Sequence, residues 1–154
     1  MSCRLLSFAL VGAISLLMVR LMAEVVPADG LWNEIYKSAW VGIYKSDQAV
    51  RGEGDYRARC ASCHGISLEG TDDGPSLAGR DFREDWNGAN VADLFEKIQF
   101  TMPANRPGRL TGDQDADILA YILKFNGFPA GPSALSTSVD ELRGVRFVSM
   151  NPGR

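Results

Sequence analysis

Cysteine, cysteine and histidine fall in the run Cys60-Ala61-Ser62-Cys63-His64, and no other feature limits the chain as tightly. His64 is the only histidine among the 154 residues. Of the three cysteines, Cys3 lies near the start, ahead of an apolar run, so Cys60 and Cys63 are the pair left to the body of the chain. A disulfide between them would close a very small loop and stabilise little. A structural zinc site wants four cysteine or histidine ligands, commonly as two pairs, and this chain would have to complete the set with carboxylates. A thioredoxin-like redox pair expects a strand–helix–strand setting, whereas the surrounding pattern is helical and loop-rich.

The reading left is the attachment signature of haem c. Two thiols add across the two vinyl groups of a porphyrin, and two intervening residues let one turn of chain reach both. The adjacent histidine then offers its imidazole to the iron from the same side. With a single histidine, bis-histidine ligation within the chain is excluded. A methionine thioether is the common second ligand in cytochromes c and raises the potential. Met1, Met18 and Met22 belong to the leader, which leaves Met102 and Met150. Met102 sits in Thr101-Met102-Pro103, in a loop between two helical patterns, where the fixed φ of Pro103 stiffens the chain. Met150 sits in a polar tail. The expected metal ligands are therefore His64 and Met102, on one haem held by thioether bonds from Cys60 and Cys63. The competing role for Met102 is that of a gap-filling core side chain.

Ahead of this, Arg4 precedes an apolar run from Leu5 to Val19 that Arg20 breaks. A spanning helix needs about 20 apolar residues, so the run has the length of an export signal core. Cleavage is expected after Ala23 or Ala28. A retained anchor, holding the protein on the inner membrane and facing the periplasm, is the alternative. The net charge of −3 disfavours nucleic acid as a partner.

The helical patterning is uneven. Trp32, Tyr36, Trp40 and Tyr44 recur every four residues, which predicts one stripe of a helix. Ser46 or Asp47 is expected to cap a helix running to about Ala61, with Ala49, Gly52, Tyr56 and Cys60 close to one face. Residues 65–86 are rich in Gly, Asp, Ser and Pro and read as irregular. Asn90 caps a short helix that buries Val91, Leu94, Phe95 and Ile98. After a loop over 101–110, Thr111 caps a last strong helix to about Phe125. Asp113, Asp115 and Asp117 sit in its first turns, favourably placed against the helix dipole. Gly127 and Pro129 stop it, and one short helix is expected around 138–143. No strand pairs are predicted.

The order helix, Cys-x-x-Cys-His-Gly, irregular loop, short helix, Met-Pro, last helix resembles the class I (mitochondrial-type) monohaem cytochrome c family, in its bacterial exported branch. Gly52 and Tyr56 resemble the family's Gly-x-x-x-aromatic pattern, and Ala120-Tyr121-Ile122 the matching contact on the last helix. Gly74-Pro75-Ser76-Leu77-Ala78-Gly79 resembles its proline loop. The resemblance covers about residues 46–126. It implies an all-α fold of three to five helices around one haem c, with little or no sheet. It also implies that the Pro75 carbonyl accepts the His64 Nδ1 proton. Trp86 has two readings, an indole N–H donor near the haem propionates and plain packing.

Expected lining comes from Tyr56, Leu68, Leu77, Leu94, Phe95, Ile98, Leu110 and Tyr121. The implied segments are 1–28 signal peptide, 29–45 aromatic-rich extension, 46–126 cytochrome c domain and 127–154 C-terminal extension. The implied function is single-electron transfer in the periplasm, by a carrier rather than an enzyme. Similar small bacterial cytochromes serve quinoprotein dehydrogenases or terminal oxidases, so redox proteins are the expected partners, with a membrane involved only if the leader is retained. The rival readings are a haem protein whose open axial site binds gas or reacts with peroxide, for which Arg106 and Arg109 lie in the right loop, and a haem subunit of a larger oxidoreductase.

Overall fold

Residues 37–152 are described by the structure, a computed structural model; the expected leader, Trp32 and Tyr36 lie outside them. The first described residues are not helical as the aromatic spacing predicts. Lys37–Ser38 form a short strand, β1, and Ala39–Val41 one 3-10 turn that Gly42 ends in a left-handed conformation at φ 81°. Tertiary partners outweigh the period of four here. The Trp40 ring stacks on Phe128 with centroids 4.2 Å apart, and its indole N–H donates to the Val148 carbonyl at 2.8 Å. The Tyr44 hydroxyl donates to the Phe128 carbonyl at 2.7 Å.

Helix α1 spans Ser46–Arg59, and its cap is Lys45 rather than Ser46 or Asp47. Gln48 explains the shift. Its carboxamide oxygen accepts from the Lys45 N–H at 3.3 Å, closing the first turn from inside the helix. The same side chain exchanges two hydrogen bonds with the Leu135 backbone, at 2.6 and 3.2 Å, tying the helix start to the C-terminal segment. The single turn Ala61–His64 follows as α2.

The stretch expected to be irregular contains one element, α3 at Gly79–Asp85. Its acidic and basic residues hid a helix whose one buried side chain is Phe82. Helix α4, Val91–Thr101, buries Val91, Leu94, Phe95 and Ile98 as patterned. Helix α5, Gly112–Phe125, starts on a Thr111 hydroxyl that accepts from the Gln114 N–H at 3.3 Å. Helix α6, Val139–Arg143, leads into β2, Val145–Arg146, which pairs in parallel with β1. That pair is the exception to the expectation of no strands. Among the described residues the all-α reading stands, with six α-helical segments rather than three to five because α2 and α3 are short additions. No described helix is long and apolar enough to cross a membrane.

Helices α1 and α5 make the largest interface between elements. Gly52 makes it possible, since a Cβ there would collide with the Asp117 carbonyl and the Ile118 nitrogen. The glycine contact thus falls a turn earlier on α5 than Ala120-Tyr121-Ile122. Tyr121 meets Tyr56 instead, with ring centroids 5.3 Å apart. Beside the crossing, Arg51 grips Asp117 through Nε at 2.6 Å and a second nitrogen at 2.9 Å. The core runs through the expected segment boundaries at 45/46 and 126/127: Ala39, Tyr44, Phe128, Leu135, Leu142 and Phe147 are buried in one cluster with the α1, α4 and α5 side chains.

The three aspartates of α5 do not share one role. Asp113 is exposed, Asp117 pairs with Arg51, and Asp115 is fully buried with no hydrogen-bond partner for either oxygen among the described residues. Burial pushes its carboxyl up from 3.8 to about 6.

Two predictions follow from this packing. Gly52→Val forces α1 away from α5 and is expected to cost about 2 kcal/mol or more in denaturant unfolding; an unchanged midpoint would mean the helices do not need this approach. The native state holds the Asp115 proton more tightly than the unfolded chain does. Its contribution to stability is therefore fully present below about pH 4 and is lost as pH rises through about 6. Asp115→Asn is expected to remove a pH-dependent loss of order 2 to 3 kcal/mol between pH 4 and 8. Parallel stability–pH curves for the two proteins would refute the assignment.

Candidate haem site

Helix α1 delivers the cysteines. It ends at Arg59, and the Cys60 N–H still donates to the Tyr56 carbonyl at 2.8 Å, so the motif continues the helix axis without a loop. The turn α2 is then closed by bonds from the Cys63 and His64 N–H groups to the Cys60 carbonyl, at 3.1 and 3.0 Å. Both cysteines are unpaired and partly exposed. Burial pushes the Cys60 thiol up to about 11.

His64 is buried, and its Nδ1 lies 2.8 Å from the Pro75 carbonyl oxygen. Because a carbonyl can only accept, Nδ1 carries the proton, and Nε2 is left with a free lone pair to offer a metal. The loop that supplies Pro75 is held from several sides. The Thr71 hydroxyl donates to the Cys63 carbonyl at 2.6 Å, and the Ser76 hydroxyl to the Leu68 carbonyl at 2.9 Å. Gly74 lets the loop close, since a Cβ there would stand 2.9 Å from the Cys63 oxygen and 3.1 Å from Nδ1 of His64. Asn126, just past α5, completes the clamp. Its side-chain amide donates to the Leu77 carbonyl at 2.9 Å, and its oxygen accepts from the Gly79 N–H at 3.1 Å.

These elements enclose a cavity of about 360 Å³. Tyr56, Cys60, Cys63, His64, Pro75, Leu77 and Met102 all line it, so seven of the eight expected cofactor-binding residues converge there. Trp86 does not line it; its ring packs 6.4 Å from that of Phe82. Met150 is also elsewhere, exposed beside Trp40.

The apolar wall differs from expectation. Leu77 and Ile98 are in it, but Leu68, Leu94, Phe95, Leu110 and Tyr121 are not; Ile118 and Ile122 of α5 take their place. The period of α5 marks all its apolar residues as buried. Only the crossing with α1 decides which of them turn toward the cavity. Arg59 and Asp73 also line the cavity, whereas Arg106 and Arg109 are exposed and stand outside it. The Met102–Pro103 peptide bond is cis. The Tyr56 hydroxyl donates to the Gly65 carbonyl at 2.7 Å, and burial raises its pKa.

The donor set fits haem c. Two adjacent free thiols, an imidazole whose second nitrogen is already satisfied, a thioether and an apolar wall share one cavity.

Residues 47–122 match the family model described as cytochrome c oxidase, cbb3-type, subunit III. The chain belongs to the class I c-type cytochromes, with haem c covalently bound at Cys60 and Cys63. A cytochrome c domain points to an electron carrier or a haem subunit of an oxidoreductase rather than to a catalytic enzyme. The fold is also similar to a chain in the crystal structure of the sulfane dehydrogenase SoxCD from Paracoccus pantotrophus, at 21% identity and a TM-score of 0.48. That alignment covers 80% of this chain and 66% of the other. A search of curated proteins found no match.

Replacing Cys60 and Cys63 together by alanine is expected to leave a polypeptide from which acidified organic solvent strips all colour, while the parent stays red. The intact mass should fall by one haem beyond the sulfur loss. Retained colour in the double variant would place the attachment elsewhere.

Proposed function

We propose that this cytochrome is an exported single-electron carrier of the periplasm, with His64 and Met102 as the two axial ligands. The observation that carries the ligation is the presence of both side chains in one cavity, when Met150, the other methionine outside the leader, lies apart from it. Haem c supplies an iron that passes between the ferrous and ferric states by one electron.

The remaining work falls to the chain. Cys60 and Cys63 fix the cofactor by covalent bonds, so its retention does not depend on affinity. Pro75 fixes the tautomer and the plane of the His64 ring, and by drawing on the Nδ1 proton makes Nε2 a stronger donor. Met102 offers a soft thioether, which raises the potential. Leu77, Ile98, Ile118 and Ile122 exclude water and raise it further, because a low-dielectric wall disfavours the extra positive charge of the oxidised state. If His64 and Met102 both held the iron, it would offer no open position to a substrate.

The leader, with Arg4 and the short apolar run from Leu5, supports export. Retention of that leader would place the same domain on the inner membrane, facing the periplasm. The partners in this reading are redox proteins, either a terminal oxidase or a quinoprotein dehydrogenase. The description of the matched family, an oxidase subunit, favours the first.

The ligation is tested on exported holoprotein. The ferric form is expected to be low-spin, with a weak far-red band of sulfur-to-iron charge transfer, and that band should vanish in Met102→Ala. Met102→His should stay low-spin while its midpoint potential falls by on the order of 0.1–0.3 V, since axial ligands set haem potentials over about 0.8 V. A high-spin ferric spectrum in the parent would favour an open axial site. The mass of the same exported sample would locate the leader cut, and a mass that includes residues 1–28 would overturn cleavage.

A further inference from the structure

Asn126 stands just past the end of α5, is buried, and has both sides of its carboxamide engaged. Its nitrogen donates to the Leu77 and Ile122 carbonyls, each at 2.9 Å, and its oxygen accepts from the Gly79 N–H at 3.1 Å. The residue does not line the cavity itself, yet two of the three it holds, Leu77 and Ile122, do. It therefore joins the loop wall of the cavity to the helix wall through their backbones.

The loop gains an anchor that it otherwise lacks. Its other hydrogen bonds over 66–78, among the described residues, run within residues 60–78. The Leu77 N–H and the Ser76 hydroxyl both reach the Leu68 carbonyl at 2.9 Å, and the Gly70 N–H reaches the His64 carbonyl at 2.8 Å. These bonds fold the loop on itself and onto the turn α2, but tie it to no other helix. Pro75 has no N–H to be held by, and its carbonyl is spent on His64. Its place is therefore set by its neighbours, and Leu77 is only two residues on.

We propose that Asn126 is a positioning residue for the iron ligand: by fixing Leu77 and Gly79 to α5, it keeps the Pro75 carbonyl on the Nδ1 proton of His64 and so lowers the midpoint potential. This rests on the reading of His64 as an axial ligand. A carbonyl held close draws on the Nδ1 proton and makes Nε2 a stronger donor. A stronger donor favours ferric iron, so this hydrogen bond pulls the potential down, against the rise due to the thioether and the apolar wall. A loop released at Leu77 lets the carbonyl drift and the potential climb.

The test compares exported holoprotein with two variants. Asn126→Ala removes the clamp. Gln48→Ala removes another buried carboxamide with three hydrogen bonds, on α1 and outside the cavity lining, and controls for loosened packing. In Asn126→Ala the redox equilibrium is expected to shift about threefold or more toward the ferrous state, a rise of about 28 mV at 59 mV per tenfold for one electron. In the ferrous protein the His64 Nδ1 proton should exchange with solvent about tenfold faster or more. Gln48→Ala should lower the melting temperature while leaving both readings at their parent values. An unchanged or lower potential in Asn126→Ala would overturn the proposal, and so would an unchanged exchange rate. Equal shifts in the two variants would mean general loosening and would also sink it.

The parent alone supplies a second measurement, which stands even where Asn126→Ala does not fold. In native-state exchange with rising denaturant, the Gly79 amide and the His64 Nδ1 proton should show the same opening free energy and the same denaturant dependence, because releasing one releases the other. Independent openings would refute the coupling. The ring protons of His64 report the ligation separately, since an imidazole held over a porphyrin has them moved far upfield by the ring current in the ferrous state. Their absence upfield in the parent would sink the ligand reading. Their presence, with an unmoved potential in Asn126→Ala, would sink the clamp alone.

Discussion

The close crossing of α1 over α5 is the contact on which the site depends. Gly52 lets the α1 backbone rest against the Asp117 carbonyl, and the Arg51–Asp117 pair closes one side of the contact. Two consequences follow along the helices. On α1, the crossing fixes where Arg59 ends and hence where Cys60, Cys63 and His64 stand, because no loop intervenes. On α5, it turns Ile118 and Ile122 into the cavity that those residues line. A covalent cofactor tolerates little error in this relation. Two thioether bonds fix its edge while the α5 side chains must pack on it at native density. The ion pair is half in solvent, so its net worth is small. Its part is directional, holding the register that the glycine permits.

The segments on either side of the central domain support this arrangement from outside. Gln48 is buried and takes three hydrogen bonds, one within its own helix and two to the Leu135 backbone. Removing that carboxamide would strand the buried Leu135 N–H and carbonyl, each at the cost of an unmet hydrogen bond. Phe147 plays a similar part, its backbone bonded to Gly88 and Ala89 and its ring packed 4.8 Å from that of Phe128. The β1–β2 pair is too short to be stable alone. It marks where the two ends of the described chain meet, and the aromatic cluster of Trp40, Phe128 and Phe147 supplies the burial that keeps them there.

What could be read in the sequence is what chemistry or period demands locally. The thiol spacing and the lone histidine pointed to haem before any fold was known, and Met102 was the expected second ligand. The helices at 91–101 and 112–125 follow from apolar residues at helical spacing and capping side chains. Residues that act through distant partners could not be read this way. A spacing of four aromatics fits an α-helix, but Trp40 reaches Phe128 from a single 3-10 turn and Tyr44 from beyond it. Asn126 reads as an ordinary helix end, and only the fold shows it clamping Leu77 and Gly79. Of the two readings of Trp86, the packing one has a visible partner in Phe82. Asp115 looked favourable beside the helix dipole, which gains at most about 1 kcal/mol at an exposed site; full burial without a partner reverses the sign.

The same distinction between global and local terms governs how such a carrier meets its partner. A net charge of −3 is an average, and among the described residues five arginines, Arg51, Arg57, Arg59, Arg80 and Arg143, are already paired to neighbours three or four residues away. Pairs of this kind present little field beyond a few ångströms. Among the described residues, Arg106 and Arg109 are exposed without a carboxylate partner, whereas Asp73 lines the cavity. Unpaired surface charge orients an approaching partner as well as attracting it. Electrostatic complementarity of this kind governs encounter rate and register more than final affinity. A carrier that must bind, exchange one electron and leave is served by that balance.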